Sequence, residues 1–394
     1  MKLLTVILVI LLLAMAAAVS FDVVPYMMNI YLRMKMGSTG VGESWLEAAQ
    51  SIVCKWLGKG VPTVPRVAGR RLSIIDRIKG TYKAVSIQSW QEGALLLAAD
   101  EFGAAECETI IYKRIDEDSG CWIHPLTRVD EAYFAYAVLS SPYTDPEFIK
   151  PAMDEAAELL LEKYRSYGGI PYSADNDIRF VDSIGLACPF LMKYSLTYNN
   201  GTAMKAAIET IEEYSRLGIH KELGLPVHCV NIKNGAPLGI YGWGRGCGWW
   251  ASGLADCYEV LSATGQDEFL QEKVTVLKCM LHFAQTVVKY QLDDGSFDRN
   301  LLSRSGPDSS ATAMIAYFLA YTGLLADKKE YMNSAQKAMQ YIYSRTRRDG
   351  TVDYSQGDTM GIGFYSQESI VLPAAQGFAV RAQMILDKGG EASV

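Results

Sequence analysis

Two kinds of helical segment alternate along most of this chain, and that alternation limits the folds open to it. One kind begins with a polar or glycine-containing head and then runs apolar on almost every face. It appears as SWQEGALLLAAD from Ser89, RVDEAYFAYAVL from Arg128, FVDSIGLACPFL from Phe180 and RGCGWWASGLADCYEVL from Arg245. It returns as DSSATAMIAYFLAYTG from Asp308 and LPAAQGFAVRAQMIL from Leu372. The other kind is amphipathic and charged, with segments from Asp145, Gly201, Asp267 and Lys329, and stretches 43–58 and 104–115 complete the set. A helix that is apolar all round belongs in an interior. Helix pairs can stack into an open solenoid, but that would leave the inner row exposed at its ends. Six such pairs bury their surface best by closing into a ring. The predicted fold is all-α, an (α/α)6 barrel of six inner and six outer helices. Short β segments are expected only in loops, PVHCVN from Pro226 and GTVDYS from Gly350 being the candidates.

With 394 residues, the chain can build one such single-core barrel. Net charge is −7, with Lys and Arg scattered, which argues against nucleic acid as a partner and against bulk-charge binding of an anionic polymer. A small acidic ligand held by one or two placed Arg or His residues fits. The eight cysteines (Cys54, Cys107, Cys121, Cys188, Cys229, Cys247, Cys257 and Cys279) show no CxxC or Cys/His spacing. They read as packed free thiols. The four histidines never pair at a metal-binding interval, and no metal is expected.

Residues 3–19, LLTVILVILLLAMAAAV, follow Met1-Lys2 and lead into Ser20. A basic start, an apolar run and small residues at its end read as a signal peptide or a signal anchor. Export is expected, secreted or membrane-anchored through residues 3–19, although the cysteine usage would equally suit a cytoplasmic protein. The expected organisation is 1–35 as signal or anchor plus linker and 36–394 as the barrel domain.

In a closed ring the inner helices are parallel, so their heads meet at one mouth. Those heads carry Trp90 with Gln91 and Glu92, Asp130 with Glu131, and Asp182. They also carry Arg245 with Trp249 and Trp250, Asp308 with Ser309 and Ser310, and Gln376 with Gly377. Asp182 stands at the head of an apolar helix shortly before Pro189-Phe190, either capping that helix or projecting into a pocket. Helix N-termini favour an anionic ligand. Caps alone would explain the Asp and Ser heads, but not Trp90, Trp243, Arg245 and Trp249 at the same level. An aromatic, acidic and Arg-lined crevice suits a sugar: rings cover its apolar faces, carboxylates do chemistry, and a guanidinium grips a carboxylate.

At these residues the chain resembles glycoside hydrolase family 105, the unsaturated rhamnogalacturonyl and glycuronyl hydrolases related to family 88. WGRGCGWW from Trp243 is similar to that family's W-x-R-G-N-G-W segment, and FVDSIGLACPF to its w-x-D-x-x-x-x-x-x-P-F segment. VDEAYFAYAVL resembles its earlier Asp-bearing inner helix, and PDSSATAMIAYFLAYTG its Glu-x-S-x-x-A-M-x-A-Y helix. Order and spacing agree over about residues 85–325. The resemblance implies an (α/α)6 enzyme that removes the 4,5-unsaturated uronic acid from the non-reducing end of lyase-generated oligosaccharides of the rhamnogalacturonan or pectin type. The C4=C5 bond is hydrated, and no metal or organic cofactor is implied. Carried onto this chain, Asp182 becomes the general acid that protonates C4 and activates water. Asp130 becomes the second carboxylate, and Arg245 meets the substrate carboxylate or a hydroxyl. Trp243 and Trp249 supply the platform, with Trp90 and His228 as further lining. His228 could equally be a plain loop residue and Trp90 plain core.

Three positions depart from the family pattern. Cys247 replaces an Asn, Asp308 stands where a Glu is usual, and Tyr172 in GGIPY lies about where a G-G-x-x-H segment has its His. Competing readings are a different (α/α)6 glycosidase, a lyase, an epimerase, or a surface sugar-binding protein without catalysis. QLDDGSFDRN from Gln291 resembles a terpene-cyclase repeat, but no DxDD cluster accompanies it.

Overall fold

Segments with no polar face can only go inside, and here they meet as a ring. The computed structural model describes residues 2–64, 88–173, 175–265 and 268–391. An N-terminal helix, α1 (Lys2–Arg33), precedes six outer–inner pairs among these residues. Outer α2 (Glu43–Lys59) leads to inner α3 (Gln88–Glu101), and α4 (Glu106–Tyr112) to α5 (Ala132–Ser140). α6 (Lys150–Tyr167) leads to α7 (Asp182–Leu186) and α8 (Cys188–Tyr198), which together form one inner position. α9 (Gly201–Leu217) leads to α10 (Gly244–Ser262), α11 (Leu270–Val287) to α12 (Ser309–Leu325), and α13 (Lys329–Ser344) to α14 (Pro373–Glu391). Each inner helix packs on the next, and α14 packs on α3, so the ring closes. The architecture is the expected (α/α)6 barrel. On α12, Ile315, Phe318 and Leu319 are wholly buried, each contributing about 1.5–3 kcal/mol relative to exposure. At the α3–α14 seam a Cβ on Gly377 would lie 2.2 Å from the Ala94 carbonyl oxygen, so only glycine lets the two helices approach. Gln91 Oε1 accepts the Ala374 N–H at 2.8 Å across the same seam.

Several boundaries differ from the sequence reading. FVDSIGLACPFL is not one helix but breaks at Ala187, because Pro189 near the start of α8 has no N–H to continue the ladder. The Asp145 segment becomes helical only at Lys150, with Pro151 in its first turn, while Asp145 accepts the Glu147 N–H in a turn. Residues Val129–Glu131 form a 3-10 turn before α5. The stretch 104–115 yields only the short α4, and α11 starts at Leu270, Asp267 lying outside the described residues.

The strands stand between outer and inner helices at the mouth. β1 (Ile178–Phe180), β2 (Val227–Asn231) and β3 (Ala236–Tyr241) form an antiparallel sheet in that order, of which only β2 was foreseen. The β2–β3 register shifts between Val227 and Cys229. Gly239 opposite takes φ +80°, a backbone turn that re-aims His228 inward. β4 (Ser355–Gln356) pairs with β5 (Ser369–Ile370) and ties off the loop between them.

At the other end of the barrel, Arg381 of α14 is buried among carboxylates. It donates to Glu101 (2.7 Å), Asp256 (3.0 Å) and Glu259 (3.2 Å), and to Tyr317 Oη at 2.7 Å. A cavity of about 710 Å3 lies beside this cluster.

α1 is long and apolar enough over Leu3–Arg33 to cross a membrane, and its apolar side chains are exposed. Its foot is bonded to the barrel. Arg33 donates to both oxygens of Asp353 (2.7 and 2.9 Å) and to the Ser369 carbonyl. Arg347 bonds the same carboxylate and Asn29. Burial alone would lift the Asp353 carboxyl, but the Arg33 bond and the charges of Arg347 and Arg33 hold it below the usual range.

Candidate active site

The first turns of α3, α7 and α10 open on a cavity of about 390 Å3. Asp182 is the first residue of α7. β1 delivers it there, and the Val181 N–H donates to the His228 carbonyl at 3.0 Å, fixing the approach. The N-cap position is Val181, not Asp182, and Asp182 Oδ2 is buried without a hydrogen-bond partner. The capping reading is therefore replaced by projection into the cavity, with 14% of the side chain still exposed. Burial lifts the Asp182 carboxyl to about 7. Its own backbone N–H and Arg245 pull downward, whereas the charges of Asp358 and Asp130 push up.

Asp130 does not line the cavity. It lies beneath the floor, 1% exposed, where Arg128 grips both its oxygens at 2.8 and 2.5 Å. Burial still raises its carboxyl against that pairing. Tyr172 connects the two acids. It lines the cavity, its ring tilted against that of Phe180 with centroids 5.3 Å apart. Its phenol is raised well above 10, first by burial and then by Asp130 and Asp182.

His228 is 3% exposed and faces Asp182, Nε2 to Oδ2 at 3.7 Å. Burial and the nearby Arg245 charge lower the imidazole to about 3. With the carboxyl raised and the imidazole lowered, the contact joins two neutral groups between about pH 3 and pH 7 and is no ion pair. Nδ1 lies 3.0 Å from Tyr365 Oη.

Trp90, Trp243 and Trp249 line the walls. Trp90 and Trp249 meet edge to face at 5.2 Å, and Trp243 is pinned by its indole N–H to Gln356 at 3.0 Å. Arg245 reaches the wall too, but its guanidinium is engaged with the loop after β4. It donates to the carbonyls of Gln356 (2.7 Å) and Gly357 (2.9 Å) and to Thr359 Oγ1 (3.2 Å). Instead of an open fork, Arg245 is a strap that holds Asp358–Gly361 against the cavity.

Other head residues turn elsewhere. Gln91 and Gln376 bond backbone inside the barrel, and Trp250 packs on Tyr214. Asp308 is an N-cap, accepting the N–H groups of Ser310 and Gln356, and Cys247 is wholly buried. All eight cysteines are free thiols. Among the described residues no three His, Cys, Asp or Glu side chains converge as a metal site. The sequence reading missed Arg128, although it sits in the same segment as Asp130. It also missed Phe180, Ser173, Leu186 and the Asp358–Gly361 loop, whose aperiodic sequence carries no signal of where it folds, and Tyr365 behind His228.

Such a cavity can hold a sugar between aromatic walls and offer it one proton-bearing carboxyl. The profile of Glycosyl Hydrolase Family 88 matches residues 127–382, more than half of the chain. No curated protein matches the chain. Among solved structures, a possible member of glycoside hydrolase family 105 from Salmonella enterica serovar Paratyphi A superposes with a TM-score of 0.71 at 16% identity. It covers 87% of this chain and 94% of its own. An unsaturated glucuronyl hydrolase specific for heparin gives 0.63 at 15% identity, covering 89% and 99%. The unsaturated glucuronyl hydrolase of Bacillus sp. GL1, responsible for the degradation of glycosaminoglycan, gives 0.62 at 17%, covering 88% and 97%. At such identities the likeness is one of fold. The family profile runs from the turn that holds Asp130 to the buried Arg381, and the chain belongs to glycosyl hydrolase family 88, a family of glycosidases.

Proposed function

We propose that the enzyme removes a 4,5-unsaturated uronic acid from the non-reducing end of lyase-generated oligosaccharides, those of rhamnogalacturonan and pectin being the first choice. One carboxyl group supports this most: Asp182, uncapped, partly open to the cavity and raised to about 7. A vinyl ether is hydrated by an acid that keeps its proton near neutrality and can take one back. Asp182 protonates C4, and water adds at C5 as its proton passes to the carboxylate. The C5 hemiketal opens, and the sugar beyond is released. Asp130, held by Arg128, lies close enough to Asp182 to raise its affinity for the proton. Tyr172 stands near both carboxyls, and Trp90, Trp243 and Trp249 give the sugar its apolar walls.

The test is loss of the ultraviolet band of the C4=C5 uronate bond. The full chain is incubated with lyase digests of rhamnogalacturonan, other pectins and glycosaminoglycans. Loss of the band with the rhamnogalacturonan digest supports the reading. Loss with another digest only keeps the chemistry and changes the substrate, and a band that persists in all digests refutes the activity.

We further infer that residues 3–19 anchor the barrel in a membrane. The α1 helix is about 48 Å long at 1.5 Å per residue, against a hydrocarbon core of about 30 Å, so a stalk remains between lipid and barrel. The bonds of Asn29, Tyr31 and Arg33 to Arg347, Arg348 and Asp353 make that stalk part of the fold. The expressed chain should stay with membranes through high salt and leave only with detergent. Recovery in the salt wash would refute the anchor.

A further inference from the structure

A neutral imidazole carries its proton on one nitrogen or the other, and for His228 the two choices do opposite things to Asp182. With the proton on Nε2, an N–H points toward Asp182 Oδ2, so the acidic hydrogen of Asp182 sits on Oδ1. With the proton on Nδ1, a bare lone pair faces Oδ2 and draws the acidic hydrogen onto the His228 side, away from a substrate. The 3.7 Å separation and the orphaned, buried Oδ2 make this choice matter.

The far nitrogen decides it. His228 Nδ1 lies 3.0 Å from Tyr365 Oη. That oxygen already accepts the Ile240 N–H at 3.1 Å. With that N–H on the oxygen, the phenol's own hydrogen goes to Nδ1, since among the described residues it meets no other acceptor. The phenol keeps that hydrogen at any working pH, since burial pushes it up to about 12. Phe180, Trp243 and Tyr365 wall the imidazole, with centroids 5.4, 4.5 and 5.4 Å away, so it has no room to flip. A Cβ at position 239 would come within 2.6 Å of Tyr365 Oη and 3.0 Å of His228 Cβ. Glycine there leaves space for the pair.

We propose that Tyr365 is a positioning residue: by donating to His228 Nδ1 it fixes the Nε2–H tautomer, and so keeps the acidic hydrogen of Asp182 on Oδ1, away from His228. The inference rests on the reading of Asp182 as general acid. As Asp182 gives up its proton, the waiting Nε2–H becomes a donor to the new carboxylate, and a modest closure brings it within hydrogen-bond reach.

The test reads the tautomer directly. Solid-state 15N spectra of the full chain, labelled only in histidine rings, distinguish protonated from bare ring nitrogens. With four histidines in the chain, comparison with His228→Gln assigns the signals. The wild type should show Nε2 protonated and Nδ1 bare but hydrogen-bonded. Tyr365→Phe should lose that single state, and Gly239→Ala, which crowds the phenol, should do the same with Tyr365 present. On a cleaved uronate digest, Tyr365→Phe should lower kcat about tenfold with KM nearly unchanged. A wild-type Nδ1–H signal, a tautomer indifferent to Tyr365→Phe, or a lost tautomer with unchanged kcat would each overturn the proposal. A wild type that turns over no digest refutes the assigned reaction instead, and the two spectral comparisons then still decide whether Tyr365 sets the tautomer.

Discussion

In Asp182→Asn, kcat falls by roughly three orders of magnitude, the scale of a lost general acid, while oligosaccharide binding persists. In the wild type, kcat should decline about tenfold per pH unit above pH 7, because only the protonated carboxyl can donate. The same substitution also changes stability, and it stabilises, as removal of a buried functional group often does. Asp182 titrates near 7 when folded and near 4 when unfolded. Between those values the unfolded chain gives up the proton and the folded one keeps it, so stability falls as pH rises through this window and stays low above 7. Full burial would make the loss about 4 kcal/mol; with the side chain partly open to the cavity, about 2 kcal/mol is a fairer figure. Asp182→Asn should therefore raise the denaturant midpoint at pH 8 and leave it unchanged at pH 4. A sugar-binding protein without catalysis would show no turnover to lose. Equal midpoint shifts at both pH values would contradict the raised carboxyl.

Arg381→Met should cost about 3–5 kcal/mol and leave kcat at 25 °C intact. Arg381 stands 3% exposed at the end of the barrel away from the cavity. It is shared by Glu101, Asp256 and Glu259, and its guanidinium lies 4.1 Å from the Tyr317 ring centroid. Methionine fills much of the volume but leaves Asp256, which is wholly buried, facing only the hydroxyls of Tyr317 and Tyr133. An uncompensated buried carboxylate accounts for most of the loss. Adding Asp256→Asn should return a large part of it, since the two residues act as a pair. Denaturant unfolding of the single and double variants, each assayed for turnover, measures both. A single variant as stable as wild type would mean that water already serves the cluster from the adjoining cavity.

Much of this fold could be read from residues whose neighbours are close in sequence. Phe318 and its companions on α12 leave no face for solvent, so the interior ring followed from the sequence. The Asp182 and Trp243 segments could be placed because a helix head is a local feature. What escaped depends on partners far along the chain. Arg245 looked like a free fork because nothing near it announces that the carbonyls of Gln356 and Gly357 will take its donors. Tyr365 and the Asp358–Gly361 loop have no periodicity to follow, and only tertiary packing brings the loop to the cavity and Tyr365 to His228. Arg381 read as one polar residue on an apolar helix, its three carboxylates lying on α3 and α10. The Pro189 break was visible in the residue itself, yet the apolar run around it suggested one continuous helix.

The closure of the ring has a consequence for how the molecule comes into being. α3 and α14, which share the Gln91–Ala374 bond and the Gly377 approach, lie at opposite ends of the barrel's sequence. During synthesis α3 must wait, one flank unpartnered, until α14 has left the ribosome. Contacts of such long sequence separation make for slow folding and an exposed intermediate. If α1 is already held at a membrane by then, the waiting half-barrel is kept away from other copies of itself. A chain terminated before Pro373 has no second partner for α3 and would persist as an open, aggregation-prone crescent instead of a smaller barrel.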